Sequence, residues 1–323
     1  MNRRDAIISL VVSVLGAFSL AAQAQQPSKV FKIGWLSSAP PAAPGTAYRG
    51  GPFVKRLAEL GYVEGKNFEF VVRMADGDIE RLPALAQELV VAKVDVIIAS
   101  GDRAAISVRD PNIPVVATTC QPFETITKLA TDGRNLTGIT CMTTELGAKR
   151  LEFLKEAVPR ARRLAVLYNP NESYGALDPL RPHAKALGME IEPAPARNTT
   201  ELISTLTSIA RKRPDAIAMQ ASPVLARDYQ RIADFALKEK LPMVNPFNEL
   251  PKLGGLMSYG AAGPELPHRA AEMTDKILKG GKAREMPVEQ ATRIHLTINL
   301  KTAKAIGITI PHALLVRADE LIQ

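Results

Sequence analysis

The chain has 323 residues, 46% hydrophobic and 23% charged, with a formal charge of +8 at pH 7. The length fits two domains of ordinary size, and with no low-complexity tract or long like-charge run the balance excludes a largely disordered or fibrous chain. Lys and Arg are spread over many segments and mixed with Asp and Glu, with no basic cluster interleaved with aromatics, so no nucleic-acid partner is expected.

In chain order, MNRRD leads into an apolar run over 6–22 and then Ala22-Gln23-Ala24. Charged, apolar and small-residue regions in that order form a secretory signal peptide over residues 1–24. The run falls short of the ~20 residues that span a bilayer, although an uncleaved anchor is the competing reading. Arg3-Arg4 invites a twin-arginine route while Asp5-Ala6-Ile7 fits its flanks poorly, so the export route stays open. No later segment approaches transmembrane length, and a soluble protein of the periplasm is expected from about Gln25.

Strand-length apolar runs then alternate with helix-period segments, the pattern of an α/β fold with parallel sheets. FKIGWLSS (31–38) leads to a helix ending RLAELG at Gly61, a strand NFEFVVR, a helix DIERLPALAQEL, and the runs KVDVIIAS (93–100) and NIPVVATT (112–119). From 163 the order repeats: RLAVLYNP, a helix ending HAKALG at Gly188, MEIEPAP, a helix TTELISTLTSIARK, RPDAIAMQAS (213–222) and KLPMVNPF (240–247). The pairs Gly61 and Gly188, Asp95 and Asp215, and Pro114 and Pro242 recur at an interval of roughly 120 to 130 residues. Two similar Rossmann-like lobes are therefore expected. Asp78 should cap the helix after it, Gly61 and Gly188 suit left-handed helix ends, and Asp95 and Asp215 suit turns before strands.

After the second series come a strand GGLMSYG (254–260), a helix over 264–281, a strand RIHLTIN (293–299) and a short helix KTAKAIG. A tail long enough to revisit both lobes implies several crossings, and hence a hinge. The expected division is 30–143 with about 258–290 for lobe I, and 144–257 with about 291–323 for lobe II.

Catalytic patterns are absent from the chain. GYVEGKN (61–67) has the wrong spacing for a phosphate loop and no Ser or Thr after its Lys, and no G-x-G-x-x-G follows the first strand. Leu256 stands where a hydrolase elbow around Ser258 needs glycine. His183, His268, His295 and His312 have no metal-ligand spacing, and two cysteines cannot make a structural zinc site. The carboxylates Asp76 and Asp78 suit turn and cap duty. No metal, no cofactor and no enzymatic activity are expected.

What remains is a set of polar strand tips, and in open α/β sheets ligands bind outside the carboxyl ends of the strands, beside helix N-termini. The first lobe offers Ser37, Ser38, Ser100, Gly101, Asp102, Thr118 and Thr119. The second offers Asn169, Gln220, Ser222, Asn245 and Phe247, with Ser258 and Tyr259 on a crossing strand. If the lobes face each other these form one cleft suited to a small polar molecule with an apolar part. Within it Asp102 is read as a helix cap, and Ser100 with free amides as the ligand contact. Each polar tip taken alone reads equally well as a cap. Cys120 and Cys141 follow neighbouring strands, where a disulfide and two free thiols are both open readings, because bonding adjacent parallel strands introduces strain.

The segments LGYVEGKNFEFVVRMADGDIERLPALAQELVVAKVDVIIA (60–99), GAKRLEFLKEAVPRARRLAVLYNP (147–170), GGLMSYG and PVEQATRIHLTINLKTAKAIGITIPHALLVRADELI (287–322) resemble the tryptophan/tyrosine-type substrate-binding proteins of ABC transporters. The resemblance covers nearly all of the mature chain. It implies a type I periplasmic binding fold with three crossings, a monomer that closes on a solute and presents it to membrane permease subunits, and no catalysis. CQPF (120–123) stands where the family pattern has an Asp-Pro segment, so the implied solute is an amino acid or an aromatic or other organic acid rather than tryptophan in particular. A ligand-sensing receptor of the same fold and an exported two-domain enzyme are the alternatives.

Overall fold

The computed structural model describes residues 29–41, 51–172, 177–262 and 265–323. The signal peptide expected over 1–24 lies outside them. The chain opens with β1 (Phe31–Ser37), α1 (Gly51–Glu59), β2 (Phe68–Met74), α2 (Leu82–Val91), β3 (Val96–Ser100), α3 (Asp102–Ser107), β4 (Val115–Thr119), α4 (Phe123–Thr131) and β5 (Leu136–Thr140). It crosses to α5 (Gly147–Ala157), β6 (Arg163–Tyr168), α6 (Arg181–Ala186), β7 (Glu190–Pro195), α7 (Thr199–Lys212), β8 (Ala216–Met219), α8 (Tyr229–Lys238), β9 (Met243–Asn245), α9 (Glu249–Lys252) and β10 (Met257–Ala261). It then returns through α10 (Glu265–Leu278) and β11 (Val288–Gln290), and ends with β12 (Ile294–Asn299), α11 (Leu300–Ile306), α12 (His312–Arg317) and β13 (Glu320–Ile322).

Two sheets result, β11-β5-β4-β3-β1-β2 and β13-β12-β10-β9-β8-β6-β7. The first five strands of each lobe take the same order, 2-1-3-4-5, so the repeated series in the sequence is a repeated fold. Strand pairings are parallel except β10 with β12, where Met257 faces Ile298 and Ala261 faces Ile294. The three-residue strands β11 and β13 carry no sequence signal of their own.

Both faces of each sheet are covered, which is why the strands read as continuous apolar runs. In β3, Val96 and Ile98 pack with Ile33, Trp35, Phe53 and Ala270, whereas Ile97 and Ala99 pack on the other face with Leu36, Leu89 and Ala104. In β6, Leu164 and Val166 face Leu151 and Leu256, while Ala165 and Leu167 face Leu202 and Ile232. Gly61 and Gly188 have φ of 92° and 67°, the left-handed helix ends expected of them. The segment after Asp78 is not one helix. Asp78 accepts the Glu80 N–H and caps a 3-10 turn over Ile79–Arg81, and α2 starts afresh at Leu82 because Pro83, lacking an N–H, fits only a first turn.

The three crossings are bonded to one another. The Glu265 carboxylate, buried at the start of α10, accepts the N–H groups of Thr292 (2.9 Å) and Arg293 (3.1 Å) on the third crossing. Ala262 N–H donates to the Arg293 carbonyl and Ala291 N–H to that of Thr140. Arg150, buried in α5, donates to the carbonyls of Tyr259 and Thr143, tying β10 to the first crossing. Burial pulls its guanidinium down to about 10, with Tyr259 and Glu145 acting the other way. Cys120 and Cys141 form a disulfide with Cα atoms 4.7 Å apart, and it packs with Ala221, Ala261 and Ala291.

Candidate functional site

In a 2-1-3-4-5 sheet the neighbouring loops diverge between the first and third strands, opening a crevice at their carboxyl ends. These points are β1 with β3 in the first lobe and β6 with β8 in the second, and the two crevices face each other. Between the lobes lies a cavity of about 820 Å³. Its walls include Ser100, Gly101, Thr118, Thr119 and Cys120 from the first lobe and Ala221, Ser222, Pro223 and Phe247 from the second.

Of the sequence candidates, Ser100, Gly101, Thr118, Thr119, Ser222 and Phe247 line this cavity. Ser37, Ser38, Asp102, Asn169, Gln220, Asn245, Ser258 and Tyr259 do not, and most are buried behind the wall. Local backbone duty accounts for several of them. Ser37 Oγ accepts the Ala39 N–H at 3.1 Å, Asn169 Oδ1 accepts the Asn171 N–H at 3.0 Å, and Asn245 Nδ2 donates to the Phe247 carbonyl. Tyr259 turns into the second lobe, where its ring meets Phe153 edge-on at 4.8 Å.

Asp102 is not the helix cap. The N-cap of α3 is Gly101 (φ 98°), with no side-chain bond, and Asp102 is the first helical residue, its Oδ2 accepting Gln121 Nε2 at 2.6 Å. The positive φ explains the glycine, and a Cβ there would stand 3.5 Å from Pro223 Cγ in the other lobe. Gly101 therefore starts α3 without a capping side chain.

Sequence reasoning missed the apolar wall. Trp35, Phe53, Tyr229 and Leu266 line the cavity, with Trp35 packed against Phe53 (5.7 Å between rings) and Phe70 (5.9 Å). Trp35 is the only tryptophan in the chain and lies two residues before the tip Ser37, which was the one available signal. Also missed were Arg227 and Glu249, the only charged side chains on the wall among the described residues. Both are exposed, and neither enters an ion pair among the described residues.

On one side the lobes touch. Arg103 Nε donates to the Asn171 carbonyl at 2.9 Å, and a Cβ at Gly77 would meet Val224 at 3.5 Å. Among the described residues no group of three His, Cys, Asp or Glu is placed to hold a metal ion, and no helix is long and apolar enough to cross a membrane. The cavity can enclose a molecule with an apolar body, offer it hydroxyls, and meet one positive and one negative group.

Comparison with known proteins adds context to this geometry. The family model described as ABC transporter substrate binding protein matches residues 43–322. A tyrosine-binding protein of Clostridioides difficile (strain R20291) is 24% identical over 261 residues, 79% of this chain and 75% of that one. A solved conserved domain protein from Vibrio cholerae O1 biovar El Tor has a TM-score of 0.79 at 25% identity, covering 91% of this chain and 100% of that one. The ABC domain from Streptococcus pneumonia, solved in complex with L-Trp, has a TM-score of 0.78 at 24% identity over the same shares.

Proposed function

We propose, since this chain belongs to the family of ABC transporter substrate-binding proteins, that it is the extracytoplasmic receptor of an importer, closing its lobes on a small organic solute and presenting it to membrane permease subunits. The observation that carries the reading is the cavity at the facing crevices of two like-folded lobes. Contacts made to both lobes at once stabilise a closed form over an open one, which is how a solute drives closure. The family is one of solute binding rather than catalysis.

The proposed solute is an amino acid or an aromatic or other organic acid. Trp35, Phe53 and Tyr229 would hold its apolar part, and Ser100, Gly101, Thr118, Thr119, Ser222 and Phe247 would surround the polar end. Arg227 suits a carboxylate, and Glu249 suits the ammonium of an amino acid. The tyrosine-binding relative and the L-Trp complex lend support to an aromatic amino acid. The moving units are proposed as 30–143 with about 258–290 and 144–257 with about 291–323, in a monomer exported to the periplasm by its leader.

A thermal-shift panel of L-tyrosine, L-tryptophan, other amino acids, phenylacetate, benzoate and sugars tests this. One chemical class of acid or amino acid should raise the melting temperature and bind one-to-one by calorimetry. A flat response across the panel would remove the reading.

A further inference from the structure

Beside the cleft lies an acidic group to which solute binding assigns no role. Glu172 follows the tip of β6, is 3% exposed, and receives a hydrogen bond on neither carboxylate oxygen. An ionised carboxylate held like this, out of water and without donors, is strongly disfavoured, whereas a protonated one is tolerated.

Its neighbours come from both lobes. From the first, α3 brings Asp102, itself 2% exposed, and Arg103; from the second, the segment after β8 brings Ser222 and the Val224 N–H. Ser222 and the Val224 N–H favour the charged form of Glu172, yet neither closes a well-formed bond. Ser222 Oγ accepts the Leu225 N–H at 3.2 Å, and Arg103 Nε donates to the Asn171 carbonyl. Burial is the main influence and pushes the Glu172 carboxyl well above its ordinary range. Asp102 adds to this, while Ser222, Val224 and Arg103 oppose it.

The first-lobe part of these surroundings, Asp102 and Arg103, is in place only while the lobes touch, at the seam where Gly101 lies against Pro223 and Gly77 against Val224. Separating the lobes carries Asp102 and Arg103 away and admits water to Glu172. We propose that closing the lobes loads a proton onto Glu172, so that solute binding is proton-linked and tightens as pH falls. The proposal rests on the reading of the chain as a receptor that closes.

The sign follows from linkage. The closed form holds the proton more tightly than the open form, in which Glu172 returns toward the ordinary value for a glutamate in water. Between that value and the raised one of the closed form, each unit of falling pH tightens binding by up to about tenfold. Outside that window this group adds no pH dependence.

A test independent of solute comes from a lock across the seam, Gly77→Cys with Val224→Cys, with Gly101→Cys and Pro223→Cys as a second lock should the first not form. In locked protein carrying carboxyl-13C glutamate, one resonance should titrate at least about one pH unit above the rest, and it should vanish in locked Glu172→Gln. All glutamates titrating together in the ordinary range would overturn the proposal. With L-tyrosine as probe on the full chain between pH 5 and 8, affinity should rise as pH falls, and Glu172→Gln should bind without that slope at the wild-type low-pH affinity. An unchanged slope in Glu172→Gln would likewise overturn it. A raised carboxyl in the lock without L-tyrosine binding would support the proton and remove only L-tyrosine as the solute.

Discussion

Asp95 and Asp215 make the same bond at matching points of the two lobes. Asp95 Oδ2 accepts the Lys32 N–H at 2.8 Å while its own N–H donates to the Lys32 carbonyl, and Asp215 Oδ2 accepts the Arg163 N–H at 2.8 Å with its own N–H on the Arg163 carbonyl. Each aspartate thus joins the entry of a lobe's third strand to the start of its first. For Asp215, partial burial acts upward, but the Arg163 and Arg162 N–H bonds and those two arginine charges outweigh it, and the carboxyl is lowered. Its folded value lies below its unfolded value, so its stabilisation is present above the unfolded value and is lost as pH falls through the folded one. Asp215→Ala should cost about 1 kcal/mol in urea melts at pH 7 and less once the pH has fallen through the lowered folded value, narrowing the acid sensitivity of the wild type.

Gly138 and Gly260 lie on the fifth strand of their respective lobes, and neither leaves room for a methyl group. A Cβ would stand 2.2 Å from the Ala117 carbonyl oxygen in the first case and 2.0 Å from that of Pro246 in the second. Because both obstacles are backbone, relief requires the strands to separate. Gly138→Ala and Gly260→Ala should each lose about 3 kcal/mol or more in chemical denaturation, whereas Gly133→Ala, with open space at its Cβ, serves as a milder control.

Cys120→Ser with Cys141→Ser removes a crosslink between residues 21 apart. Loop-closure entropy alone predicts a loss of about 2 to 4 kcal/mol. Melting with and without a thiol reductant should separate wild type from the double variant in oxidising buffer and bring them together in reducing buffer. Because Cys120 also lines the cavity, solute affinity should fall along with stability.

Arg227 sits exposed on the cavity wall with no acidic partner among the described residues. Replacing it by alanine should leave the melting temperature of the solute-free chain unchanged. Affinity for a carboxylate solute should drop roughly tenfold to a hundredfold by calorimetry, the loss of one charge-assisted hydrogen bond. Glu249→Gln should weaken amino acids by a similar factor and spare acids that lack an amino group.

The alternation of runs and periods made the lobes legible, since a strand covered on both faces has to read as an unbroken apolar segment. The cleft was legible only as a set of strand ends. Ser258 and Tyr259 were misplaced because GGLMSYG reads as a strand ending at Gly260, whereas β10 runs on to Ala261 and it is Ala261 and Ala262 that reach the cavity. Asn169 and Asn245 follow strand tips as expected, yet their side chains serve their own turns. Trp35, Phe53 and Leu266 have the spacing of core residues, and a wall assembled from two lobes and a returning helix is a property of tertiary arrangement that no local pattern encodes.

The disulfide and its alanine neighbours have a mechanical meaning. Ala261 ends β10 just before the second crossing, Ala291 begins the third, and Cys141 begins the first, so this small plug lies where all three strands of the hinge converge. A rotation of the lobes about it moves nearby atoms little and distant ones much, as with a door and its hinge pin. Thr119, Cys120 and Ala221 would form a nearly stationary floor, while Gly77 and Val224, on facing lobes at the seam, would part. A fluorophore attached near Val224 would therefore convert solute capture into light, making the chain a reagentless sensor for whatever it binds.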